Sequence, residues 1–217
     1  MAYLLQLLSI TLISWALPVD DVDFACTPQN IAQKYLNDFN VNVSSFGGME
    51  LCNATIDTKK LLNDFELVEQ GKFGAGPTNI FIRNVVDQDR YYSWLKSMTR
   101  SIRRKNDVPH ATAYNQWGNF TMQDGWAQLS TLGRVGVLIH EARHTAGYGH
   151  TRCNQGPYKK ASTSGCDRSL EQQGSHGVEM EYYSRVVLQG QNFHPVYKTM
   201  ARLMNMARSN FVFNQIP

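Results

Sequence analysis

Residues 140–150 read His140-Glu141-Ala142-Arg143-His144-Thr145-Ala146-Gly147-Tyr148-Gly149-His150. Residues four apart share one face of an α-helix, so a helix through the first half would place His140 and His144 side by side. His150 would lie about 9 Å further along a continuing helix axis. It can join the other two imidazoles only if the helix ends and the chain turns back. Gly147 suits such a turn, because glycine enters the left-handed conformation without a Cβ penalty.

Three imidazoles with one open position are typical of a catalytic zinc site, whereas a structural zinc usually has four protein ligands. The sequence therefore predicts a Zn²⁺ ion held by His140, His144 and His150. Glu141 points about 100° round the helix from His140, where it can reach a water on the metal but is no ligand of the same kind. The ion would lower the pKa of that water, and Glu141 would accept its proton as general base.

The pattern His-Glu-x-x-His-x-x-Gly-x-x-His resembles the zinc-binding signature of the metzincin metallopeptidases. The resemblance covers this motif and not the whole chain. It implies zinc ligands at His140, His144 and His150, a general base at Glu141, and a peptide or protein substrate. The expected fold is of the α+β class and zincin-like, with a small mixed sheet, an active-site helix and C-terminal helices.

The third ligand and the methionine turn of the metzincins are left open by the residues after the motif. Met180-Glu181-Tyr182 has the order of a Met-turn with its tyrosine, which would stabilise an oxyanion, but the surrounding residues 175–189 have a helical pattern. Other zinc sites take a carboxylate or a thiolate instead of a third histidine. The candidates to replace or join His150 are Glu179, Glu181, Asp167 and Cys153.

The other three histidines carry no pattern that indicates a site. His110 begins a strand-like run, and a lone histidine there is more often structural than a ligand. His176 and His194 are interpreted as ordinary polar positions. On the sequence alone, the histidines of residues 140–150 are the only set with ligand spacing.

Length and composition indicate one exported domain. The 217 residues, 42% of them hydrophobic, can bury a core, and a net charge of +3 is too small to indicate a nucleic-acid partner. Residues 1–16 are apolar but short for a membrane span, with Ser14 and Ala16 at the spacing that a signal peptidase recognises. We therefore predict a signal peptide at 1–16, a single domain at 17–217, no stable membrane span, and a secreted, periplasmic or extracellular location.

Four cysteines fit export, because disulfides persist in oxidising compartments. Of the three possible connectivities, the local pairs Cys26–Cys52 and Cys153–Cys166 are the simplest. A Cys153 thiolate that closes the zinc site is the alternative. Three sequons, at Asn42, Asn53 and Asn119, would be glycosylated in a eukaryotic secretory pathway.

Periodicity predicts the remaining elements. Helices are expected over 28–39, 58–70, 87–105, through the motif, and over 175–189 and 195–210. Ser130 or Thr131 would cap the motif helix. A buried strand is expected over 79–86, and a hairpin over 109–129 with its turn at Gln123-Asp124-Gly125.

Taken together, the sequence predicts a secreted zinc metalloendopeptidase. The alternative is a non-catalytic secreted zinc-binding or interaction module, whose structural zinc would be closed by a fourth protein ligand such as Cys153. The coordination shell separates the two, because an enzyme needs an open position beside a cleft. No feature of the sequence marks the substrate's side chains or the oligomeric state.

Overall fold

A computed structural model of the protein describes residues 26–53, 56–75, 84–108, 111–156, 159, 164–211 and 213–214. In these residues the fold is mixed α+β, with helices around a small three-stranded sheet. The helices are α1 (Gln29–Asp38), α2 (Asp57–Gln70), α3 (Tyr91–Met98), α4 (Asp124–Ala127), α5 (Thr131–Thr145), α6 (Ser175–Leu188) and α7 (Pro195–Phe211). The strands are β1 (Ser101–Arg104), β2 (Ala113–Gln116) and β3 (Asn119–Met122).

The sheet has the order β1-β3-β2, parallel between β1 and β3 and antiparallel between β3 and β2. β2 is therefore an edge strand, and no described strand pairs with its other side. The Asn115 amide of β2 donates to the backbone oxygen of Glu141 and to the Thr145 hydroxyl, both on α5. These bonds place the sheet edge beside the first half of the motif.

Helix α5 carries that first half and is the centre of the core. Its Ser130 cap is confirmed, since the Ser130 hydroxyl accepts from the backbone N–H of Gly133. Arg134 forms a fully buried ion pair with Asp64 of α2, with Nε 2.9 Å from Oδ1. A buried pair of this kind orients two helices, because losing one partner would strand the other charge.

Gly136 makes room on α5 for two side chains of α6. A Cβ at this position would lie 1.9 Å from the Tyr183 hydroxyl oxygen and 3.1 Å from Oε1 of Glu179. A larger side chain would displace the Tyr183 and Glu179 side chains and break the hydrogen bond between them. This packing brings the buried carboxylate of Glu179 next to the motif helix, one turn from His140.

The helix predicted over 87–105 is wrong in its second half. A short 3-10 turn leads into α3, which ends at Met98. Thr99 is extended, and β1 begins at Ser101. Ile102 fits both patterns, because it continues the helical stripe and is also the buried position of a strand. The pairing of β1 with the distant β3 decides for the strand, and local periodicity does not contain that information.

The hairpin predicted over 109–129 is wrong in its strands and in its turn, because the hairpin that forms lies within the run 110–122, expected as a single strand. The strands β2 and β3 are joined by Trp117-Gly118, whereas Asp124-Gly125 begins the short helix α4. Asp-Gly is a hairpin signal only when strands flank it on both sides. Here residues 124–127 are helical, so the signal was misleading.

Other predictions are confirmed. The helices expected over 28–39, 58–70, 175–189 and 195–210 are α1, α2, α6 and α7, with small differences at their ends. Both disulfides form as the local pairing predicts. No helix in the described residues has the length and apolar character that a membrane span requires. Residues 1–16, most of 79–86, and His110 lie outside the described residues.

Candidate metal and catalytic site

The turn after α5 brings the ends of the motif together. α5 ends at Thr145, and Gly147 adopts the left-handed conformation at φ +91°. The Arg143 guanidinium lies 3.5 Å from the centre of the Tyr148 ring, and its Nε donates to the backbone oxygen of Gln173. The His150 ring centroid consequently lies 4.9 Å from that of His140 and 4.7 Å from that of His144. The predicted end of the helix and its return are confirmed.

Each motif histidine has an oxygen atom facing its Nδ1. His144 Nδ1 lies 2.6 Å from the Tyr148 carbonyl oxygen. His150 Nδ1 lies 3.2 Å from Oδ1 of Asp167, and His140 Nδ1 lies 3.5 Å from Oε2 of Glu179. Because carbonyl and carboxylate oxygens accept, neutral imidazoles in these positions carry hydrogen on Nδ1 and a lone pair on Nε2. Such outer contacts typically orient histidine ligands toward a metal.

The Nε2 atoms of His140 and His150 face each other at 3.0 Å. With hydrogen on both Nδ1 atoms, two lone pairs meet there, and a cation between them would relieve the repulsion. Burial, followed by the charge of His176, holds the pKa of His140 well below its usual value. Burial, followed by the charge of His150, lowers the pKa of His144 to about 4. Neutral imidazoles at neutral pH are the form that binds metal, so the residues present fit a metal ion.

His176, interpreted from the sequence as an ordinary polar position, lies in the same cluster. Nitrogen atoms of His140, His150 and His176 lie within 4.8 Å of one another, and these three could hold a metal ion. The His176 ring is stacked on that of His150 at 4.7 Å. Its Nε2 lies 3.2 Å from the Gly165 carbonyl oxygen and its Nδ1 lies 3.5 Å from Oε2 of Glu179. His176 Nε2 is therefore hydrogen-bonded to a carbonyl oxygen, while its Nδ1 has no hydrogen-bond partner among the described residues.

Glu179 is buried beside His140 and His176, and its Oε2 has no hydrogen-bond partner among the described residues. Its Oε1 accepts from the Tyr183 hydroxyl and from the Arg208 guanidinium. Burial alone would raise the pKa of this carboxyl, but Arg208, followed by the neighbouring imidazoles of His140 and His176, holds it well below its usual value. The spacing His176-x-x-Glu179 on one helix face was the sequence signal for this pair, since residues three apart are neighbours on a helix.

Asp167 is positioned against His150 by the loop that the second disulfide closes. Cys153–Cys166 and the backbone bridge between Thr151 and Cys166 fix the residue before Asp167. The carboxylate is 2% exposed, with Oδ1 facing His150 Nδ1 and Oδ2 accepting from the Gly177 backbone N–H at 3.0 Å. The disulfide also excludes Cys153 as a thiolate ligand, which corrects that alternative.

Helix α6 decides the interpretations of Met180, Glu181 and Tyr182 that the sequence left open. Met180 lies inside this continuous helix, so the tight turn of a metzincin Met-turn does not form there. Glu181 accepts from the backbone N–H groups of Val85 and Val86 and pairs with Arg185. Tyr182 is fully buried against aromatic rings, where it cannot stabilise an oxyanion.

Glu141 lies beside the histidines with an unused oxygen. Its side chain is 4% exposed, and Oε2 has no hydrogen-bond partner among the described residues. Burial, followed by the charge of Glu179, raises the pKa of its carboxyl to about 8. A cation at the neighbouring imidazoles would oppose both causes and favour the carboxylate.

A cleft of about 540 Å³ runs between the sheet edge and the motif. One wall is the hairpin, from Ala113 to Trp117, and the other contains His140, Glu141, His144, Gly147, Gly149 and His150. His140, Glu141, His144 and His150 thus line one cleft, whereas the histidines whose ligand atoms lie within 4.8 Å of one another are His140, His150 and His176. The roles of ligand and base stay predictions. No protein-family model matches the chain, and no curated protein or solved structure matches it.

We expect Asp167→Asn to weaken metal binding by about 10–100-fold, the usual cost of losing an outer contact to a ligand. Both partners of Asp167, His150 Nδ1 and the Gly177 N–H, are donors, so one of them would face the new amide NH₂. Competition with a chelating zinc indicator measures the affinity. Asp87→Asn, at a carboxylate whose side chain is 79% exposed, is the matched control. Equal affinities of both variants would contradict a supporting role for Asp167.

Proposed function

We propose that the protein is a secreted zinc metalloendopeptidase in which Glu141 is the general base. One observation carries the proposal. His140, His144 and His150 converge beside an open cleft with their Nδ1 atoms facing oxygen acceptors, and the Glu141 carboxylate lines the same cleft. The two disulfides fit an exported protein.

The three motif histidines would hold the ion. Their donor set of three neutral nitrogens suits zinc, and this number of protein ligands leaves a position open. Bound zinc supplies a Lewis acid for a carbonyl oxygen and a water of lowered pKa. The chain's own contribution is to keep the imidazoles neutral and oriented, through the Tyr148 carbonyl, Asp167 and Glu179.

Glu141 moves the proton in this proposal. Its carboxylate accepts a proton from the attacking water and passes it to the amine that leaves. The residue precedes Ala142 in a buried part of α5, and the Asn115 amide holds its backbone oxygen. The backbone of Glu141 is therefore held in place beside the cleft. A carboxylate in a fixed position transfers a proton more efficiently than a mobile one.

An extended peptide fits the shape of the cleft. β2 forms one wall, and its unpaired edge can add a substrate strand through main-chain hydrogen bonds. A peptide held there would run past His140 and Glu141 on the facing helix. This arrangement favours cleavage within a chain over cleavage of a small molecule.

The second candidate is a non-catalytic zinc-binding module. The nearness of His176 favours it, because a fourth imidazole could close the coordination shell. The hydrogen bond between His176 Nε2 and the Gly165 carbonyl oxygen leaves only Nδ1 for the ion, and that atom lies 3.5 Å from the Glu179 carboxylate. The two candidates differ in turnover and in the number of protein ligands.

Metal analysis and a cleavage assay test the proposal together. We expect the purified mature protein to contain about one zinc per chain and to cleave members of a broad peptide library. Removal of the metal with a chelator should abolish cleavage, and added Zn²⁺ should restore it. A protein that holds zinc through four protein ligands and cleaves nothing would support the binding module instead.

A further inference from the structure

The tip of the β2–β3 hairpin has an unusual residue. Trp117 and Gly118 form a two-residue loop with φ of +57° and +88°, as in a type I′ turn. Asn, Asp and Gly are preferred in such turns, and a bulky residue with positive φ is an outlier. Gly118 has a local reason, since a Cβ there would lie 3.1 Å from the Met98 carbonyl oxygen. Trp117 has no comparable reason in the turn.

Packing against the core does not explain why a tryptophan occupies position 117 either. Its side chain is 84% exposed, the highest value among the large hydrophobic residues that the structure describes. A single exposed apolar residue is ordinary on a protein surface. A strained backbone and an exposed indole at one position are more informative, because such strain persists mainly where function uses it.

The location of Trp117 indicates what function this residue has. The residue follows β2 directly and lines the cleft that contains His140 and Glu141. The rest of that wall is formed by Ala113, Tyr114, Asn115 and Gln116. Across the cleft lining, a Cβ added to Gly147 or Gly149 would meet no atom within 4 Å, so there is open space beside both glycines.

We propose that Trp117 is a specificity-determining residue that binds a large apolar or aromatic side chain of the peptide substrate. This inference rests on the proposed peptidase function. An indole ring offers a wide apolar face and has few rotatable bonds, so the loss of conformational entropy on binding is small. The open space beside Gly147 and Gly149 leaves room for such a side chain, and Trp117 is the largest and most exposed apolar residue of the facing wall.

Trp117→Asn tests the inference because the substitution should raise the unfolding temperature and lower kcat/KM for selected peptides. Asparagine tolerates positive φ, so the variant should unfold at a temperature about 2–4 °C higher than wild type. For peptides with a Phe or Leu near the cleaved bond, kcat/KM should fall about 10-fold or more, mainly through KM. Peptides with Ala at those positions should be cleaved nearly as before. Trp117→Phe should restore most of the preference.

Leu203→Asn is the matched control, since Leu203 is 61% exposed on α7 and does not line the cleft. It should change neither activity nor preference. If Trp117→Asn cleaves all peptides like wild type, the inference is wrong while the peptidase function stands. A lower unfolding temperature of Trp117→Asn would also overturn it, because Trp117 would then be structural.

A binding measurement separates this inference from the peptidase function. If wild type cleaves no peptide, the proposed function fails. The contact is then tested by fluorescence anisotropy with a labelled Phe-containing peptide and zinc-loaded Glu141→Gln protein, with and without Trp117→Asn. A Kd raised about 10-fold by the added substitution supports the contact, and an equal Kd overturns it.

Discussion

Glu141→Gln is expected to retain about one zinc per chain and to lose peptide hydrolysis by about 10²–10⁴-fold, the usual contribution of a general base. Glutamine has nearly the same shape and still forms hydrogen bonds, but it does not accept a proton at neutral pH. Zinc should remain because the three imidazoles are unchanged. Metal content, thermal unfolding and kcat/KM for one cleaved peptide are measured on the same preparation.

The control for this experiment is Glu171→Gln, an exposed carboxylate in the loop before α6. It removes the same charge and should leave kcat/KM within error of wild type. The loss at Glu141 should appear in kcat more than in KM, because proton transfer belongs to the transition state. Equal rates for wild type and Glu141→Gln would show that another group accepts the proton, and the mechanism proposed here would be wrong.

Local signals predicted the motif half of the site well. Ser130 caps α5, Gly147 turns the chain, and four-residue spacing brings two histidines onto one face. Each of these depends on neighbours in sequence, which periodicity and capping preferences describe. The local disulfide pairs were found for the same reason.

Contacts between distant segments were not predictable in this way. The role of β1 depends on pairing with β3, and Ile102 fits a helix and a strand equally well. The supports of the site, Glu179 and Asp167, come from segments distant in sequence, where Gly136 makes room for the Glu179 side chain and a disulfide closes the loop before Asp167. The turn at Trp117 was missed because it uses a residue that turn preferences disfavour.

The second large effect concerns which histidines hold the metal. His144→Ala is expected to lose zinc, because two remaining imidazoles make a weak site, whereas His176→Ala should keep about one zinc per chain. The reason lies in the hydrogen bonds. His144 Nδ1 contacts the Tyr148 carbonyl oxygen, which leaves Nε2 for the ion. In His176 the hydrogen-bonded nitrogen is Nε2, and the remaining Nδ1 lies 3.5 Å from the buried Glu179 carboxylate.

Zinc per chain after dialysis against a weak chelator, followed by competition titration, measures both variants. His144→Ala should lose more affinity than the about 10–100-fold expected for an outer contact, and His176→Ala should lose no more than that. His194→Ala, at a histidine outside the cluster, is the control for handling losses. If His176→Ala loses the metal and His144→Ala keeps it, the ligands are His140, His150 and His176. The cation would then lie on the side of Glu179 and Arg208. The assignment of Glu141 as general base, which depends on a cation at His140, His144 and His150, would be wrong.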